Sequence, residues 1–122
     1  MSEAVVAAVL RAVDTEAPRA ERAKSAAEIV REARGYQWAG IFDVGDDEIV
    51  LIGESGQTAR DAAINRADTI APRIGAVVPV LGAESAIVIG TLEVESDTVI
   101  TFGTDDVAFL EECAGALRPL YD

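Results

Sequence analysis

Residues 36–54 read "YQWAGIFDVGDDEIVLIGE", two runs of aromatic and branched residues on either side of a Gly-Asp-Asp turn. Such residues favour extended backbone, and a short polar turn brings the second run back beside the first. The stretch predicts an antiparallel hairpin with strands over 36–44 and 48–54. An isolated hairpin is marginal in water, so its apolar face needs other elements to cover it. The segments on either side supply them.

Upstream, Val5, Val6, Val9, Leu10 and Val13 recur at helical spacing and predict a helix over 3–15. Pro18 suits the first turn of a second helix, which runs to about Arg34 through Ala23, Ala26, Ala27 and Val30, with Gly35 as its C-terminal cap. The contact face of that helix is mostly alanine, which lets a neighbouring backbone come close. Downstream, Thr58 and Asp61 resemble a capping box and suggest a short helix over 59–66. Apolar segments at 69–71, 74–82, 85–95 and 98–102 read as strands, and Pro79 places the second of them at an edge or a bulge. Thr104 is expected to cap a last helix, with Asp105 and Asp106 at the positive end of its dipole. Val107, Leu110, Ala114 and Leu117 form its apolar stripe, Phe109, Cys113 and Ala116 widen it, and Pro119 ends it. Helices at both ends and hairpin-like strands between them predict an α+β domain. Its mainly antiparallel sheet has about five to six strands, with the terminal helices on one face. At 122 residues the chain reads as a single domain, 1–122.

Ten Lys+Arg stand against 22 Asp+Glu, a formal charge of −12. Nucleic acid and anionic membranes are therefore excluded as partners, since both need a cationic surface. The early Glu3 and the lack of a basic opening segment argue against a signal peptide, so a cytoplasmic protein is expected. There is no histidine and only one cysteine, Cys113, so neither a zinc site, a disulfide within the chain nor a Ser-His or Cys-His pair can form. "GESGQTAR" lacks the spacing and lysine of a phosphate-binding loop, and Asp43, Asp46 and Asp47 lack the pattern of a calcium loop. No metal or cofactor is implied.

The candidate site residues lie on the strands. "GTLEVES" sets Glu93 and Glu95 two apart, on one face of an extended segment. They read either as a solvated strand end of an acidic protein or as a pair aimed into a pocket. Trp38 and Phe42, four apart, also share a face, as core rings or as the wall of a binding site. Arg60, Arg66 and Arg73 could meet an anionic ligand or serve as surface counter-charges.

The ordered set "WAGIFDV", "AVVPVL", "IGTLEVES" and "FGTDDVAFLEECAGAL" resembles the GAF domains, small-molecule sensing modules. Within that superfamily it is most similar to the free methionine-(R)-sulfoxide reductases. Their W-x-G-x-Y motif is matched by Trp38-Ala39-Gly40-Ile41-Phe42, without the phenolic hydroxyl. Their D-I-D-S motif is matched by Glu93-Val94-Glu95-Ser96, each acid one methylene longer. The resemblance implies a pocket under a short helix or loop, with Trp38, Phe42, Glu93, Glu95 and Ser96 facing a ligand and Arg60 and Arg73 beside them. It also has departures. Gly75 stands where the family has a carboxylate, and the segment before that strand carries no cysteine. Sulfoxide reduction in this family needs a thiolate to attack the sulfur. The expectation is a non-catalytic, stand-alone GAF-like sensor or signalling module. It binds an unidentified small molecule or acts as a regulatory homodimer paired through its first and last helices. A reductase-like enzyme is one alternative. Another is a structural interaction module whose pocket is filled by Phe42, Val78, Val80 and Leu92.

Overall fold

The computed structural model describes residues 2–57, 74–82, 87–96 and 102–121. Helix α1 spans Ser2–Val13 and α2 spans Arg19–Arg34. Pro18 is the N-cap of α2 rather than part of its first turn; its ψ of 146° is extended, not helical. Gly35 ends α2 in the left-handed region at φ 67°, and its N–H bonds the Arg31 carbonyl. Only a residue without Cβ takes that conformation freely.

Four strands follow: β1 (Trp38–Val44), β2 (Ile49–Gly56), β3 (Ile74–Leu81) and β4 (Val88–Ser96). They form one antiparallel sheet in the order β2-β1-β4-β3. The hairpin read from residues 36–54 is present, and β3, with its Pro79, is an edge strand of the described sheet as expected. Of the further elements expected, the strand at 69–71 and the helix at 59–66 lie outside the described residues, as does 98–102 apart from Phe102. The last helix, α3, spans Thr104–Ala116 and runs into a 3-10 turn over Arg118–Tyr121. Gly103 takes the N-cap position and no side chain caps the helix, so Thr104 is the first helical residue rather than the cap. Asp105 and Asp106 do occupy the first turn.

The helices cover one face of the sheet, giving an α+β fold. Helix α2 lies over β2 and β1, α3 over β3, and α1 packs against α2 and α3. Ala39 and Ile41 of β1, Leu92 and Val94 of β4, and Val78 and Val80 of β3 point into this layer and join one core with Ala23, Ala26, Ala27 and Val30. Val78, Val80 and Leu92 therefore pack beneath the helices and do not fill a space beside Trp38. Val9 and Val13 are fully buried in the same core, so less of α1 remains apolar and exposed than its periodicity suggests. Leu10 is exposed, and so is Val107, which leaves the stripe expected on α3. Among the described residues no helix is long and apolar enough to cross a membrane.

Candidate functional site

Alternation along β1 turns Trp38, Gly40 and Phe42 away from the helices. On that face their cross-strand neighbours on β4 are Glu95, Glu93 and Thr91 in turn. On β2, Glu54 is the neighbour of Gly40 and Leu51 that of Phe42. The aromatic pair and the two predicted carboxylates thus share one surface, as expected.

Trp38 is 4% exposed although it lies outside the core beneath the helices. Its ring lies over Gly40, where a Cβ would collide with the six-membered ring of the indole and touch Phe42. The glycine of the Trp-x-Gly-x-Phe run is thus explained by the space the indole occupies. The Trp38 and Phe42 rings meet at 60° with centroids 6.1 Å apart. The indole Nε1 donates to Glu54 Oε1 at 2.8 Å. Glu93, half-buried, accepts a bond from the Thr91 hydroxyl at 3.3 Å. Gly75 is the cross-strand neighbour of Glu95.

Ser96 follows Val94 on the opposite face, where it is 1% exposed, so the strand does not bring it to the carboxylates. Arg60, Arg66 and Arg73 lie outside the described residues. Glu54 is the residue that sequence reasoning missed.

The only cysteine of the chain cannot serve this face. Cys113 is fully buried in the core under the helices, on the other side of the sheet. Burial foremost, with the nearby Glu112 charge adding and Arg34 opposing, pushes its thiol up to about 12. A thiol so held stays protonated and unreactive at neutral pH. What the Trp38 face can do chemically is accept hydrogen bonds from a cationic head at its carboxylates and offer apolar contact at the partly exposed Phe42, beside the buried indole.

A cleft of about 530 Å³ opens on the helix side between Arg19, Arg22, Asp43, Leu120 and Tyr121. Its cations have protein partners, although among the described residues the buried Arg19 Nε has none. Arg19 pairs with Asp43 at 3.0 Å, and Arg22 bonds the carbonyls of Ala17 and Val13, each at 2.9 Å, closing the end of α1. The Tyr121 hydroxyl donates to the Phe42 carbonyl at 2.7 Å, and burial pushes its pKa up.

The architecture defines an α+β domain of the GAF fold. It superposes on a free methionine-R-sulfoxide reductase from Neisseria meningitidis, solved in complex with its substrate. That match has a TM-score of 0.74 at 22% identity and covers 98% of this chain and 87% of that one. A GAF domain from an Acinetobacter phosphoenolpyruvate-protein phosphotransferase matches with a TM-score of 0.70 at 12% identity, over 97% of this chain and 90% of that one. A type II free methionine-R-sulfoxide reductase from Thermoplasma acidophilum matches with a TM-score of 0.61 at 19% identity, over 84% and 94%. No family model matches the chain, and no curated protein does.

Proposed function

We propose that this chain is a non-catalytic GAF domain that binds a small molecule on the Trp38 face in a sensing or regulatory role. The ligand carries an ammonium or similar cationic head for Glu93 and Glu95 and an apolar portion for Trp38 and Phe42. The observation that carries this reading is the shared face itself: a buried indole, a second ring and half-buried carboxylates, with the only thiol on the other side of the sheet. Fold neighbours include both sensor domains and reductases, and the lack of a thiol on this face favours the former.

Trp38 is the only tryptophan, so its fluorescence reports on this face alone. Titration of the purified chain with free amino acids, methionine sulfoxide among them, should give a saturable change in emission for at least one. No member of the set should be reduced when a dithiol is supplied. A flat response throughout would remove the binding reading, and turnover that vanishes in Cys113→Ser would restore the enzymatic one.

Assembly belongs to the same proposal: a second copy docks on α1 and α3. The support is a shallow, mainly apolar groove lined by Val6, Ala7 and Leu10, with Glu3 and Glu112 at its sides.

A further inference from the structure

Near the turn the hairpin register is regular, with Val44 opposite Ile49, Asp43 opposite Val50 and Phe42 opposite Leu51. Continued without a break, it would set Glu54 opposite Ala39 and aim it at the helices. Instead the register shifts between Ile41 and Phe42, so that Ile41 faces Gly53 and Gly40 faces Glu54. Ile52 is the extra residue of a β-bulge, a device that re-aims the side chains beyond it. The shift turns Gly53 toward α2 and Glu54 toward Trp38.

We propose that Glu54 is a positioning residue of the Trp38 face: by accepting the indole N–H it holds the ring flat over Gly40, and so sets where aromatic surface meets a ligand. A buried indole has one polar group, and its orientation is decided by where that group finds an acceptor. An ionised carboxylate is a stronger acceptor than a neutral one. Gly40 provides the space and the tilted Phe42 ring lies beside the indole, so Glu54 fixes the polar edge of a ring whose other neighbours are Gly40 and Phe42. Among the described residues Glu54 forms no ion pair. The matched motifs lie on β1 and β4, whereas Glu54 comes from β2.

The inference rests on the reading that this face binds a small molecule, but the first arm of its test does not. Trp38 emission and its quenching by acrylamide are measured in the ligand-free chain for Glu54→Met, Glu54→Ala and Glu54→Gln, with circular dichroism as the check on folding. Met and Ala remove the acceptor and should shift the emission and make the ring easier to quench. Gln keeps an acceptor and should stay close to the parent. Gly40→Ala, which displaces the ring with Glu54 intact, should reproduce the Met signature. In the second arm, an amino acid that titrates the parent should bind the Met variant about tenfold more weakly, with most of the affinity returned by Gln. Folded Met and Ala variants with unchanged emission and quenching would overturn the proposal, as would an altered spectrum with unchanged affinity. A parent chain that responds to no amino acid would retire the binding reading, and the first arm would still decide whether Glu54 holds the ring.

Discussion

Cys113 and Tyr36 are buried on the helix side, and each is held neutral there. Burial is the main cause for both, raising the Cys113 thiol from 9.0 to about 12 and the Tyr36 phenol from 10.0 to about 12. The unfolded chain loses these protons near the ordinary values while the folded chain keeps them. Stability contributed by the neutral groups is therefore complete below pH 9 and lost as pH rises toward 12, at up to about 1.4 kcal/mol per pH unit for each group. Denaturation followed from pH 8 to 11 should show a falling midpoint, less steep in Cys113→Ala; equal slopes would mean that the thiol is not desolvated. In the native chain at pH 8 the thiol should react with a disulfide reagent far more slowly than in denaturant. At this scale the sequence was partly legible. Cys113 as a core residue follows from helical spacing, and period 2 sets Trp38 with Phe42 and Glu93 with Glu95; that the two pairs share one face was implied only by the resemblance, since it depends on the pairing of β1 with β4. Glu54 does not. Counting forward from the Gly-Asp-Asp turn places it on the wrong face, because the bulge at Ile52 has no signature in residue type.

Between elements, the alanine face of α2 does what its composition implies. Gly53 of β2 sits so close that a Cβ there would lie 2.7 Å from the Lys24 amide nitrogen and 2.8 Å from the Ala23 Cβ. Backbone cannot step aside as a flexible side chain can, so Gly53→Ala should cost about 1–3 kcal/mol by forcing helix and strand apart. Gly115 makes the matched contrast. It lies within α3 with nothing near its Cβ direction, and Gly115→Ala should stabilise the fold by about 0.5–1 kcal/mol. Chemical denaturation of the two variants checks both signs; a neutral Gly53→Ala would mean that α2 is free to move away. The helix ends were less legible than the helices. Pro18 and Thr104 each fall one position from the role expected, since neighbouring residues fit a cap almost equally well and tertiary packing selects between them. Val107 fits the apolar period of α3 but sits on the first turn, beyond the reach of the core.

For the whole molecule, α1 lying on α2 and α3 rather than against the strands changes the expectation for assembly. Val9 and Val13 are spent inside the core, and what remains outside is Leu10 with parts of Val6 and Ala7. If a second copy covers that groove, Leu10→Glu should turn a two-fold dimer into a monomer while leaving the melting temperature of the monomer nearly unchanged. Light scattering across a concentration series decides this, and a monomeric parent chain would reject the dimer. Because Leu10 is 46% exposed, the substitution disturbs little else.

Consecutive residues of β4 answer to different demands. Leu92 and Val94 are constrained by the volume beneath the helices, whereas Thr91, Glu93 and Glu95 point the other way and touch none of it. A lineage carrying this strand can exchange its outward residues one at a time, each step leaving the folding free energy almost where it was. What the outward face presents can then change without changing what holds the sheet beneath its helices.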